Sequence, residues 1–131
     1  QSYGNTYRLS EAYLNRAEAL VFLGKWESAI TDINTIREKR IKNDYEITAT
    51  NREDALNKVW EERRRELCFE KHRWFDLRRQ GMPELRHIFT NGGSRKEYIL
   101  PTGSKSYTLP IPKKIREQNK IIVNIERPEQ Q

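Results

Sequence analysis

Between residues 66 and 81 the chain reads ELCFEKHRWFDLRRQG, and three of these side chains could hold a metal or activate a nucleophile. Cys68, His72 and Asp76 are spaced i, i+4 and i+8, which on a continuous helix sets all three along one face. Thiolate, imidazole and carboxylate are all zinc ligands. The same geometry argues against one shared ion: eight residues rise about 12 Å at ~1.5 Å each, too far for a straight helix to wrap. His87 is the only other histidine. A metal site and a nucleophilic Cys–His pair are therefore set aside, and Cys68 is expected to be a small buried hydrophobe.

The charges of this region need a different account. Arg63, Arg64, Arg65, Arg73, Arg78 and Arg79 are interleaved with Glu61, Glu62, Glu66, Glu70 and Asp76. Glu62 with Glu66, and Glu66 with Glu70, are like-charge i, i+4 pairs that cost stability unless a cation sits between them. A phosphate-binding face would not carry acids there. The expectation is a structural ion network in which Arg63, Arg73 or Arg79 reaches between elements to Glu62, Glu66 or Glu70, partly buried and bidentate. At least one of the three arginines should be largely buried, with Leu67, Phe69, Trp74 and Leu77 burying the helix around them.

Tyr3, Tyr7, Tyr45, Tyr98 and Tyr107 have the ring type that stacks on sugars or bases. Core covering or incidental exposure is the default for each. No carboxylate pair stands in a predicted cleft, and there is no Gly-rich phosphate loop and no assembled triad. A helical glycosidase would need two acids about 5–10 Å apart, a distance that helical Glu–Glu spacings meet everywhere. No catalytic, cofactor-binding or metal residue is assigned, and enzyme activity is not expected.

The elements that position these residues read as mostly α. Residues 10–39 form a helical hairpin: Ala12, Tyr13, Ala17, Leu20 and Leu23 make one helical stripe, and Trp26, Ala29, Ile30, Ile33 and Ile36 a second. Ser10 is a good N-cap and Gly24 a good stop. Small Ala17 and Ala29 permit close approach of two antiparallel helices. The pattern resembles a tetratricopeptide unit, with Arg16 where leucine is expected, and one such unit implies further repeats or capping by the next helix. Residues 41–50 read as an irregular or mobile linker. Thr50 and Glu53 have capping-box spacing and open a long helix over 51–80, broken or kinked near 71–73. A short helix at 84–89 follows, then an irregular Pro/Gly-containing tail over 91–131, with a brief strand at Tyr107–Leu109 and helical period returning near Lys113. Residues 1–131 are read as a single helical domain.

With 131 residues the chain has the size of one domain. Its 35% hydrophobic content, even with glycine added, stays below the usual ~45–50%. That is a thin core and predicts a part of a larger body; a first residue of Gln in place of Met points the same way. The net charge is +6, but 19 acids are interspersed among 25 Lys and Arg, which weighs against a nucleic-acid partner. One cysteine excludes an intrachain disulfide framework and a four-thiolate zinc site. No stretch of 18 apolar residues occurs, as a membrane-spanning helix would need. The first ten residues carry no signal-peptide pattern, so the chain is expected either to be cytosolic or to begin after its targeting segment.

Taken in order, YLNRAEALVFLGKWESAITDINTIREKR, EERRRELCFEKHRWFDLRRQG and LPIPKKI resemble the carboxy-terminal portion of the SusD/RagB family. The central block carries the most specific part of that resemblance, through Glu62-Arg63, Glu66-Leu67, Phe69-Glu70, Arg73, Asp76-Leu77, Arg79 and Gly81. The hairpin matches through Tyr13, Ala17-Glu18-Ala19, Gly24, Ala29, Asn34, Ile36-Arg37 and Arg40, and the tail through Pro110-Ile111-Pro112. Lys71 departs from the pattern where glycine is usual, Lys120 follows Asn119 where proline is usual, and Asn124 lacks its customary proline. The resemblance implies a helical scaffold of tetratricopeptide-like units in a cell-surface, outer-membrane lipoprotein of Bacteroidetes. Such a protein is a non-enzymatic lid on a SusC-like, TonB-dependent outer-membrane transporter and captures oligosaccharide or polysaccharide before uptake. It implies membrane association only through a lipid anchor absent from this chain, and ligand contacts from parts of the protein outside it. The alternatives are a cytosolic tetratricopeptide-like protein–protein adaptor and a helical glycoside-processing enzyme.

Overall fold

The computed structural model describes residues 8–123 and divides after Arg73 into two compact units. In the first unit, helices α1 (Leu9–Phe22), α2 (Trp26–Glu38) and α3 (Arg52–Glu66) pack together. Their shared core is Ala17, Val21, Ala29, Ile30, Ile33, Ala55 and Val59, with Trp26, Ile47 and Ala49 closing over it. Ala17, Ala29 and Ala55 are fully buried, so a small side chain from each helix stands inside the cluster and lets the backbones approach. Burying side chains such as Val21, Ile33 and Val59 contributes about 1.5–3 kcal/mol each. A second cluster joins Leu14, Ile36 and Leu67, with Tyr13 beside it.

The α1–α2 turn is fixed by Gly24 at φ 78°. Gly24 N–H donates to the Val21 carbonyl and Lys25 N–H to that of Leu20, the paired bonds of a Schellman stop. Arg52, the first residue of α3, then donates Nε to the Val21 carbonyl at 3.0 Å. The start of the third helix is thereby tied to the end of the first. The antiparallel pair matches the sequence expectation, but the described residues show several helices and a small sheet, with no clear tetratricopeptide repeat.

Helix caps lie one or two residues from their sequence signals. α1 begins at Leu9 with Arg8 as an N-cap whose side chain makes no cap bond, so Ser10 does not serve as the cap. α3 is capped by Asn51, whose Oδ1 accepts from Asp54 N–H at 2.9 Å, while Asp54 Oδ2 accepts from Thr50 N–H at 2.8 Å. The first bond is that of an N-cap, and the second reaches one residue beyond it, to the N–H before the cap, so the pair resembles a capping box without being one. The linker is irregular but held: Asn34 Nδ2 donates to the Ile47 carbonyl and Asn34 Oδ1 accepts from Ile47 N–H, both at 3.0 Å.

The expected 51–80 helix is two helices. α3 ends at Glu66, residues 67–71 form turns, and α4 runs Arg73–Arg79. The break is wider and begins earlier than expected because Phe69 (φ 65°) and Lys71 (φ 66°) both sit in the left-handed region, which no right-handed helix accommodates. Phe69 is consequently 99% exposed and Cys68 is exposed. Both were expected inside; the turn directs them outward.

The second unit corrects the reading of 84–131 most. Residues 84–89 are not helical, and the tail is not wholly irregular: β1 (Leu85–Asn91) and β2 (Ser94–Leu100) form an antiparallel hairpin in register Leu85↔Leu100 through Asn91↔Ser94. Its two-residue turn, Gly92 (φ 54°) and Gly93 (φ 88°), has positive φ at both positions, as type I′ hairpin turns require. Below the hairpin, Gly103 N–H donates to the Met82 carbonyl at 2.9 Å and the Tyr107 hydroxyl donates to the Pro83 carbonyl. Tyr107 is fully buried and stacked on Trp74 with centroids 5.0 Å apart. It belongs to a 3-10 turn at Lys105–Tyr107, not a strand. Helix α5 (Lys113–Gln118) starts where helical period was expected to return. Asn124, with residues 125–131 of the tail, lies outside the described residues, as do Tyr3 and Tyr7.

Candidate functional site

Cys68 and His72 stand in the turn region and Asp76 in α4, so the single helical face that would have aligned them does not exist. Among the described residues no group of three His, Cys, Asp or Glu is placed to hold a metal ion. Asp76 is buried and accepts from Arg79 Nη2 at 3.0 Å.

The acids of α3 are turned toward arginines, most of which come from elsewhere in the first unit. Glu62 Oε2 accepts from Arg37 Nη1 of α2 at 3.0 Å and from Arg65 Nη1 at 3.4 Å. Glu66 receives Arg40 through two bonds, Nε at 3.0 Å and Nη2 at 2.8 Å, and Arg8 Nη2 at 2.7 Å. Arg8 also pairs with Glu70. Arg8 thus bridges Glu66 and Glu70, while Glu62 and Glu66 are each compensated by arginines of their own, so none of these acids faces its i, i+4 neighbour uncompensated. Arg40 above all, with Arg8, holds the Glu66 carboxyl below its ordinary range against the opposing effect of burial.

Arg63 is the largely buried arginine the sequence called for, and its Nη1 donates to Asn15 Oδ1 of α1 at 2.7 Å. Arg73 and Arg79 are exposed. The cations that reach the acids between elements are Arg8, Arg37 and Arg40, none of which the charged stretch itself contains. A usable signal did exist: Arg37 and Arg40 are spaced i, i+3 at the end of α2, matching the i, i+4 ladder of Glu62 and Glu66. Arg16, at the expected leucine position, forms the equivalent link between α1 and α2, giving Nε and Nη2 to Asp32 at 2.8 and 2.6 Å.

A groove of about 310 Å³ lies beside this network, lined by Arg37, Ile47, Lys58, Glu61 and Arg65. Its cations are already engaged: Lys58 Nζ reaches Asp54 and the Thr48 carbonyl, each at 2.6 Å, and Arg65 Nη2 reaches Glu61 at 3.0 Å. It is an electrically satisfied groove with no acid–base pair poised for chemistry. Of the candidate stacking rings among the described residues, Tyr107 is buried, Tyr45 is half-buried, and Tyr98 stands half-exposed on β2.

Comparison with known proteins decides what this scaffold is. The SusD family profile matches residues 2–127. The chain belongs to the SusD family. A SusD-like protein from Bacteroides fragilis has a crystal structure that this chain matches with a TM-score of 0.61 and 25% identity, over 88% of this chain and 24% of that one. The chain therefore spans about a quarter of that relative's length. No curated protein matches it. Within the SusD block, Glu62 and Glu66 are the receiving ends of the helix-to-helix pairs, and Arg63 anchors α3 to α1. Lys71, where the resemblance led to the expectation of glycine, has φ 66°, a conformation glycine adopts at least cost.

Proposed function

We propose that this chain belongs to a non-enzymatic glycan-capture component of an outer-membrane, TonB-dependent nutrient uptake complex, and that its helices supply scaffold. The observation that supports the reading is that the acids of the block from Glu62 to Arg79 are all spent on internal pairs. Arg37 with Glu62, Arg40 and Arg8 with Glu66, and Arg79 with Asp76 leave no free acid–base couple among them. A block consumed by holding helices together supports a capture scaffold; a hydrolase would need two carboxylates released to flank a bond. In this reading the full-length protein sits at the cell surface through a lipid anchor, over a SusC-like transporter.

The test is incubation of the full-length protein with a panel of oligosaccharides, following binding by calorimetry and products by chromatography. Binding without product is expected. Catalytic appearance of shorter products would overturn the reading.

A further inference from the structure

The β1–β2 hairpin divides its charges and rings between its two faces. Alternation and register place Leu85, His87, Phe89 and Asn91 with Ser94, Lys96, Tyr98 and Leu100 on one face. Phe89 and Tyr98 are 50% and 49% exposed there, and they are diagonal neighbours across the strand pair, a separation that aromatic side chains bridge. Lys96 Nζ lies 5.1 Å from the Tyr98 ring centroid. The acids are kept off this face. Glu97 points to the other side and, with Glu84, engages Arg86, at 3.5 and 2.7 Å. The ring-bearing face therefore holds a cation, two flat apolar surfaces and polar rim groups, with no carboxylate.

The face is also held firmly. Its tip is a turn closed by Gly92 and Gly93, and its base is tied by the Gly103–Met82 and Tyr107–Pro83 bonds. An isolated two-stranded hairpin is marginal in water, so this bracing keeps exposed rings in fixed positions, the condition for a recognition surface.

We propose that the face formed by His87, Phe89, Lys96 and Tyr98 binds an acidic glycan. A pyranose lays its C–H face on the electron-rich ring surfaces, its hydroxyls meet His87 and the rim, and a carboxylate or sulfate substituent lies at Lys96. Charge complementarity selects the acidic class: a neutral sugar would make no use of a cation on an acid-free face, and an apolar protein partner would leave His87 and Lys96 desolvated without partners. The proposal rests on the capture reading and adds a contact that the helices do not supply.

The test is affinity electrophoresis of the full-length protein in gels containing polygalacturonate, dextran sulfate, or the neutral glycans pullulan and galactan. Retardation by at least one of the acidic polymers is expected. Phe89→Val and Tyr98→Val, which keep strand propensity while removing a ring, should each weaken it about tenfold. Lys96→Gln should weaken it by up to about fivefold, and Ile99→Thr on the opposite face should leave it unchanged. Thermal melts by circular dichroism establish that the variants fold. Polygalacturonate and dextran sulfate separate a uronate from a sulfate preference. Retardation by dextran sulfate that ignores the ring variants is simple attraction to a cationic protein and overturns the proposal. Retardation by neutral glycans alone, or any retardation indifferent to all hairpin variants, overturns the proposal and leaves capture standing. Retardation by none of the four overturns the capture reading with it.

Discussion

Arg37 on α2 donates Nη1 to Glu62 on α3 at 3.0 Å, and the two side chains are only 13% and 7% exposed. The same guanidinium gives Nε to the Tyr45 carbonyl at 2.6 Å. One arginine thus joins two helices and the connection between them, where water competes weakly for its charge. Removing one member of such a pair strands the other, which costs more than the pair itself contributes.

Arg37→Ala is expected to lower unfolding stability by about 3 kcal/mol, since Arg65 remains to compensate Glu62 in part. The double substitution Arg37→Met with Glu62→Met should recover most of that loss, because no charge is left buried. Urea unfolding of the single and double variants reads both values. A single variant within about 0.5 kcal/mol of the parent would contradict the buried-pair account.

Lys71→Gly is expected to stabilise the protein. A non-glycine residue in the left-handed region costs about 1–2 kcal/mol, and the extra freedom glycine gives the unfolded chain offsets roughly 0.4–1 kcal/mol of the gain. A net increase of about 0.5–1 kcal/mol should appear as a higher Tm. A lower Tm would show that the lysine side chain makes up for its backbone conformation.

Acid should loosen the first unit. Glu66 is held below its ordinary carboxylate range chiefly by Arg40, and Asp54 by Lys58 and the Thr50 N–H. A depressed folded pKa contributes stability that is fully present above the unfolded value and is lost as pH falls through the folded one. The urea midpoint should therefore fall on acidification below about pH 4.5, the ordinary glutamate range. Glu66→Gln should be less stable at pH 7 and show a shallower acid slope. An unchanged slope would contradict the assignment.

The helices of the first unit are legible in the sequence because burial at helical period is what a sequence shows. The α1 stripe, however, was misplaced: Leu14 and Val21, not part of it, are fully buried with Ala17, while Leu23 is exposed. Ala17, Ala29, Ile33 and Val59 all fall where periodicity places them. The charged block was legible as internal pairing through its like-charged Glu62, Glu66 and Glu70, and Arg63 as its buried arginine. The partners were not, since Arg8, Arg37 and Arg40 are far away in sequence. The turn at 67–71 was hidden because Phe69 and Lys71 take a conformation that their residue types do not advertise. The hairpin was hidden for a different reason: Ile88 and Ile99 on one face and Phe89 and Tyr98 on the other are all half-exposed, so no alternation of apolar and polar residues marks its strands. Gly92-Gly93 between two short runs was the available hairpin signal.

The central claim is that the charged block holds the scaffold together and does not itself meet ligand. Its most direct test pairs two readings on Arg37→Ala in the full-length protein: the urea midpoint, and the Kd of the folded fraction for a glycan that the parent protein retains. A lowered midpoint with an unchanged Kd is the predicted result. A midpoint equal to the parent's with a Kd weakened about tenfold or more would make the block a binding site and contradict the account.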